Sequence, residues 1–151
     1  MAEKQYVIFE LNDEEYGIEI TNIKEITEYK ESTKVPNAFD FIDGIINLRG
    51  NVVPVINLKK RFNLEETNIV DNSRVVIINV GEKQVGFIVD DASRVITLDE
   101  KNIEETPEII NGVDKRYIVG IGKKEEQIII LLDLEAILSE SENKIIMSQE
   151  F

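Results

Sequence analysis

The sequence predicts an all-β protein made of two five-stranded β-barrels that arose by internal duplication, with a short helix after the last strand of each barrel. Three observations support this prediction. Isoleucine and valine dominate the apolar residues, which favours strands. Short apolar runs alternate with turn residues along most of the chain. The same order of strands and turns occurs twice with a period of about 70 residues, which suits one small barrel per repeat.

In the first half, turn and cap residues separate five apolar segments. Asn12-Asp13 marks the first hairpin, and Asn57 is a good N-cap for the helical pattern at 58–62. Pro54 lies inside the last strand pattern, which suggests an edge or a bulge. The strands are predicted at about 5–11, 14–20, 24–29, 43–48 and 52–57.

The second half shows the same order of signals. Gly81-Glu82 marks its first hairpin, and Asp133 is the N-cap of a helical pattern at 134–138. The strands are predicted at about 74–80, 84–90, 93–98, 117–122 and 127–132.

Two ungapped alignments of the sequence with itself support the duplication. When residues 6–27 are laid on residues 75–96, every apolar position of the first copy meets an apolar residue, and Gly17 meets Gly86. In the same way, residues 52–58 meet residues 128–134, with Asn57 on Asp133. The predicted divisions are a first barrel at 1–63, taken as contiguous in sequence, a connection at 64–73, a second barrel at 74–138, and an acidic tail at 139–151 that is either frayed or docked as a short helix.

Composition excludes several classes of function. A formal net charge of −13 repels phosphate groups, so neither a nucleic acid nor an anionic membrane surface is an expected partner. The absence of histidine and cysteine removes disulfides, thiolate nucleophiles and the usual zinc ligands, and no metal or cofactor is expected. No apolar run is long enough to span a bilayer, and the N-terminus has no signal-peptide pattern. We therefore expect a cytoplasmic protein without direct membrane insertion.

A functional site is predicted where the two halves differ. Residues 47–50 read Asn-Leu-Arg-Gly, whereas the corresponding residues 123–126 form an ordinary charged turn. Only the first half places an arginine, Arg49, at this turn, followed by Gly50, which can take a positive φ. An arginine paired with a surface glutamate would explain Arg49 equally well, and Glu25 taken alone reads as a solvated strand residue.

The segment around Arg49 resembles the signature of the CheW family of chemotaxis coupling proteins. The similarity runs from about residue 5 to residue 138, with motifs in the expected order. The arginine-bearing motif is specific, whereas the hairpin motifs are persuasive only as a set. The matching segments are GIINLRG at 44–50, VPVINL at 53–58, EEYGI at 14–18, Ile23-x-Glu25-Ile26, and VGFIVD at 85–90 with Ala92 and Val95.

This resemblance implies a pair of SH3-like barrels and a non-enzymatic adaptor. Members of the family join the cytoplasmic signalling tips of chemoreceptors to the regulatory domain of the chemotaxis histidine kinase, in membrane-associated receptor arrays. Arg49 would pair with Glu25 and shape the receptor-binding surface. Kinase contacts are expected mainly on the first barrel, without assigned residues, and contacts through the second barrel would close array rings. The residues implied at the receptor surface or in the apolar groove between the barrels are Ile23, Glu25, Gly44, Leu48, Arg49, Gly50, Ala92 and Val95.

The chain departs from the family pattern at one position, and two other functions are compatible with the sequence. The family usually has a larger apolar residue at the position of Ala92, so we expect a shallower groove there. An enzyme would have to rely on a carboxylate with a shifted pKa, and the sequence nominates Asp90 or Asp133 at best. An SH3-like module that reads proline-rich peptides would need an aromatic groove, and the chain has no tryptophan.

Overall fold

Ten strands account for most of the regular structure. The computed structural model describes residues 3–62, 64, 73–106 and 115–137. The predicted tail and most of the predicted connection lie outside these residues. No helix within them is long and apolar enough to cross a membrane. The strands are β1 (Glu3–Leu11), β2 (Glu14–Glu19), β3 (Glu25–Glu28), β4 (Ile42–Leu48), β5 (Asn51–Asn57), β6 (Ser73–Val80), β7 (Lys83–Asp99), β8 (Ile103–Glu104), β9 (Ile118–Lys124) and β10 (Gln127–Leu132).

The predicted strands agree with this order except in two places. The strands predicted at 84–90 and 93–98 form one continuous strand, β7. This strand changes partner in its middle, because Asp90 is paired both with Ser73 of β6 and with Glu10 of β1. Asp91 has a left-handed φ of 42° at that point. The short strand β8 was not predicted.

Short helical turns follow the last strand of each half, as predicted. The helix α1 (Leu58–Arg61) follows β5, and the Asn57 side chain accepts a hydrogen bond of 3.2 Å from the Lys60 backbone N–H. After β10, the 3₁₀ turn Glu135–Ile137 takes the place of the predicted helix, and the Asp133 side chain accepts from the Glu135 N–H at 3.1 Å. Both predicted N-caps are therefore confirmed.

Matching backbone hydrogen bonds support the duplication. The Asn57 N–H donates to the Phe41 carbonyl at 2.8 Å, and the Asp133 N–H donates to the Tyr117 carbonyl at 2.9 Å. The sequence alignment places the members of these two bonds on one another. The two halves therefore share a fold as well as an apolar pattern.

The halves are joined by a reciprocal exchange of strand partners. Strand β5 of the first half pairs in parallel with β7, with Val55 opposite Gly86. Strand β10 of the second half pairs in parallel with β2, with Leu131 opposite Gly17. These two contacts are counterparts under the duplication. Each half therefore completes its sheet with a hairpin from the other half.

This exchange defines the barrels by strand pairing. The first barrel contains β3, β4, β5, β6 and the first part of β7. The second barrel contains β1, β2, the second part of β7, β8, β9 and β10. The division into 1–63 and 74–138 was drawn by sequence position and does not coincide with this pairing. As a division into domains it stays a prediction.

Three apolar clusters form the core of the described residues. One lies in each barrel, and the largest joins the two barrels. Strand β6 serves two of them, because Val75 and Ile77 pack in the first barrel while Val76 and Ile78 pack in the shared cluster. A strand buried on both faces reads as a continuous apolar run, which explains the sequence of β6. Other members of the shared cluster are Phe9, Leu11, Tyr16, Ile18, Ile56, Leu58, Phe87, Val89, Leu132 and Leu134.

We expect Gly86→Ala to destabilise the protein more than its counterpart Gly17→Ala. A Cβ at Gly86 would lie 2.6 Å from Cγ1 of Val75, a β-branched side chain with little rotamer freedom, whereas a Cβ at Gly17 would lie 3.0 Å from a Leu131 methyl group. The expected loss for Gly86→Ala is about 1–3 kcal/mol of unfolding free energy, measured by denaturant titration. An equal or larger loss for Gly17→Ala would contradict this explanation.

Candidate functional site

The turn between β4 and β5 is a two-residue hairpin loop that presents Arg49. Both loop residues have positive φ, 52° for Arg49 and 88° for Gly50, as a type I′ turn requires. The Asn47 side chain accepts a hydrogen bond of 2.8 Å from the Gly50 N–H. The corresponding residue of the second half, Glu125, also has a positive φ, of 58°. The left-handed backbone at the first loop position is therefore common to both halves, and the first half adds the arginine side chain and a second positive φ at Gly50.

Arg49 forms an ion pair with Glu25, in which Nη2 of the guanidinium donates to Oε1 of the carboxylate. Glu25 begins β3 and is held by pairing opposite Ile77 of β6. The side chain of Arg49 is 68% exposed and that of Glu25 is 23% exposed. Water and salt screen such a pair, so it contributes little to stability. It nevertheless fixes the position of a cation above the edge of the first barrel.

Three other predicted site residues of this hairpin serve the fold. Leu48 is 3% exposed and packs in the first-barrel cluster, so its side chain does not reach the surface. Gly44 has a φ of 154°, and a Cβ there would lie 2.4 Å from the Thr33 carbonyl oxygen. Gly50 has open space around it and is required by the turn. Val52, which was not predicted, is the exposed apolar side chain of this hairpin, at 45%.

A polar network holds the segment before β4 against that strand. The Asp43 carboxylate accepts hydrogen bonds from Tyr29 Oη at 2.9 Å and from Ser32 Oγ at 2.6 Å. The Lys34 ammonium donates to the Asp43 carbonyl at 2.7 Å. Burial, followed by the bond to Asp43, raises the pKa of Tyr29. The network supports the close approach at Gly44, and no sequence signal pointed to it.

Two of the remaining predicted residues, Ile23 and Ala92, occupy equivalent places in the two halves. Ile23 and Ala92 are counterparts under the duplication, and both are partly buried against the shared cluster. Val95 lies on β7 opposite Val7 and is 49% exposed, which makes it the most accessible apolar residue of the predicted set. The structure thus joins Glu25 and Arg49 by a direct contact and places Ile23 and Ala92 on a common cluster.

A cavity of about 340 Å³ opens beside Ile23, between the turn before β3 and the segment 133–135 after β10. We call it the junction cavity. Its volume is at the small end of the range for ligand cavities, so it has room for the end of one side chain but not for a large cofactor. It is lined by Thr21, Asn22, Ile23, Lys24, Ile78, Asn79, Asp133, Leu134 and Glu135.

The two carboxylates nominated for catalysis have structural partners. Asp90 forms an ion pair of 2.8 Å with Lys59, and the Asp133 side chain caps the turn after β10. Sequence analysis did not single out Lys59, which is 7% exposed although it follows a cap residue in a polar-looking run. Across the described ranges, no cluster of three or more carboxylates could hold a metal ion. Asp90 and Asp133 thus both have structural roles.

Comparison with known proteins identifies a family for this chain. The sequence pattern of the CheW-like domain matches residues 5–142. The chain is 37% identical to the chemotaxis protein CheW of Klebsiella aerogenes, over 92% of this chain and 84% of that protein. It is 38% identical to the chemotaxis protein CheW of Bacillus subtilis, over 93% and 90% of the two chains. The crystal structure of the scaffolding protein TtCheW from Thermoanaerobacter tengcongensis superposes with a TM-score of 0.84 at 36% identity and covers 92% of this chain and 90% of that one.

We expect Arg49→Glu to leave the fold intact and Leu48→Ala to destabilise it. The Arg49 variant loses an exposed ion pair and should change the free energy of unfolding by about 1 kcal/mol or less. The Leu48 variant creates a cavity in the first barrel and should cost about 2–5 kcal/mol. Thermal and denaturant unfolding of both variants measures this difference. A large loss for Arg49→Glu would make the arginine a structural residue.

Proposed function

This chain belongs to the CheW family, and we propose that it couples the cytoplasmic signalling tips of chemoreceptors to the regulatory domain of the chemotaxis histidine kinase. Its role is that of a non-enzymatic scaffold in chemotaxis. Chemoreceptors and a kinase are its partners in general terms. The specific partner surfaces are part of the proposal, as is a location in the cytoplasm at membrane-associated receptor arrays.

The ion pair between Arg49 and Glu25 is the observation that carries the receptor site. It joins the turn at Arg49-Gly50, whose counterpart in the second half is Glu125-Glu126, to the start of β3. Ile23 lies two residues before Glu25 and packs against the shared cluster between the barrels. A receptor helix laid along this line would meet apolar surface, with a fixed charge pair at its rim. Such a pair contributes orientation and specificity more than affinity.

Exposed apolar side chains on both barrels support contacts with further proteins. Val52 of the first barrel is 45% exposed, and its counterpart in the second barrel, Ile128, is 63% exposed. Val119, also in the second barrel, is 64% exposed. We assign the kinase contact mainly to the first barrel and the contact that closes array rings to the second. Two similar apolar surfaces at separate sites suit a component that alternates with a partner in a ring.

The two alternative functions receive less support. A reader of proline-rich peptides needs accessible aromatic rings, and none of the large exposed apolar residues in the described ranges is aromatic. The large aromatic side chains Phe9, Tyr16 and Phe87 are fully buried. An enzyme needs a free carboxylate in an apolar pocket, whereas Asp90 is paired and Asp133 is a cap.

The test is a binding titration of the purified protein with a receptor signalling-tip fragment and, separately, with the kinase regulatory domain. Arg49→Glu places two carboxylates together at the rim of the groove. We expect it to weaken receptor binding about tenfold or more, because like charges at an interface are strongly unfavourable, and to leave kinase binding largely unchanged. The double variant Glu25→Arg with Arg49→Glu restores opposite charges and should recover part of the loss.

Lys123→Glu is the matched control. Lys123 forms a surface ion pair of 2.8 Å with Glu104 on the second barrel, so the substitution makes the same kind of charge change away from the proposed receptor site. Receptor binding by this control should stay close to that of the wild type. Failure of the wild type to bind either partner would overturn the proposed function. Strictly additive defects in the double variant would argue against a direct role for the pair.

A further inference from the structure

An ion pair between a buried lysine and a half-buried aspartate fills one junction between the two halves. Nζ of Lys59, on the cap helix α1, lies 2.8 Å from a carboxylate oxygen of Asp90, at the point where β7 changes partner. The two side chains are 9% and 21% exposed. A cation that belongs to the first half therefore neutralises an acidic site in the second half.

The duplication creates a second, equivalent junction, in which the helical turn after β10 carries a negative charge where α1 carries a positive one. The counterparts of Asp90 and Lys59 are Thr21 and Glu135. No ion pair can form between these two side chains, and the junction cavity opens between the segments that carry them. One junction holds an ion pair and the other a cavity because the residue types differ at these two aligned positions.

The lining of the junction cavity is suited to a long cationic side chain. The lining is mainly polar and includes Asn22, Asn79, Asp133 and Glu135, while Ile23, Ile78 and Leu134 supply a smaller apolar part. Among the described contacts, Glu135 makes no ion pair, and Lys24 makes none with either carboxylate. Lysine and arginine carry a charged end on an apolar stem, which suits a mainly polar lining with a smaller apolar part.

We propose that the junction cavity receives a lysine or arginine side chain of the receptor helix, whose charged end takes the place that the Lys59 ammonium fills in the other junction. This proposal rests on the proposed receptor site, because Ile23 belongs to both the cavity and the groove. A helix that contacts Ile23 also lies beside the cavity, because Ile23 lines it. The cation of the partner would be attracted by Glu135 and by the overall charge of −13.

The experiment titrates a receptor signalling-tip fragment into the full-length protein by isothermal calorimetry. Glu135→Gln should weaken binding about threefold to fivefold, the loss expected for one partly exposed charge pair. Glu135→Lys should weaken it about tenfold or more through repulsion. The double variant Thr21→Asp with Glu135→Lys rebuilds the ion pair of the other junction and fills the cavity from within, so it should also bind weakly while remaining folded.

Glu126→Gln is the matched control, since it removes the same charge from an exposed turn outside the cavity. Charge reversal of the basic residues of the receptor fragment, one at a time, should identify one substitution whose defect Glu135→Lys rescues. Wild-type affinity in the folded double variant would overturn the cavity proposal, and so would a defect in kinase binding alone. If Arg49→Glu still weakens receptor binding in that case, the proposed function stands without the cavity. An absence of receptor binding by the wild type would overturn both.

Discussion

The parallel pairing of β5 with β7, matched by that of β10 with β2, is the constraint on which the rest of the molecule depends. It makes the last strand of each half a neighbour of the first hairpin of the other half. Neither barrel is then complete without both halves, and the apolar faces turned away from the two barrel interiors meet in one shared cluster. Gly17 and Gly86 stand at the two crossing points, where a side chain would collide with neighbouring strands. A scaffold that presents surfaces on two barrels gains a fixed spacing between them from this arrangement.

Much of this fold can be predicted from the sequence, because strands and hairpins are encoded locally. Alternation, turn residues and the caps Asn57 and Asp133 located nearly every element, and the internal alignment found the duplication. The exchange of partners could not be predicted in this way, since a period of two residues says which face is buried but not which strand lies alongside. Strand β8 was missed for a similar reason. It has two residues, and its equivalent in the first half is a single bridge at Thr33.

Less of the candidate site than of the fold could be predicted from the sequence. The contrast between Arg49 and the acidic turn of the second half pointed to the hairpin, and the family resemblance supplied Glu25 as its partner. Sequence alone could not separate the surface of that hairpin from its interior, because apolar residues occupy both faces of its strands, at 45 and 46 and again at 52 and 53. The structure places Leu48 in the core and Val52 on the surface. The burial of Lys59 could not be predicted, because a lysine near a helix N-terminus is ordinarily solvated. Only the fold brings it into contact with Asp90.

Duplication also explains why departures from symmetry are informative in this protein. Both halves need the same strands, caps and close glycine contacts, so a difference at an aligned position marks a residue that the shared fold does not dictate. The two clearest differences reverse the charge: Arg49 aligns with Glu125, and Lys59 aligns with Glu135. In the first case the cation is exposed on the surface, and in the second it is buried and already paired. One junction is thereby closed by the protein itself, while the other keeps a carboxylate at the edge of an open cavity. A duplicated fold can therefore hold one junction closed and leave the other open without changing its strand order.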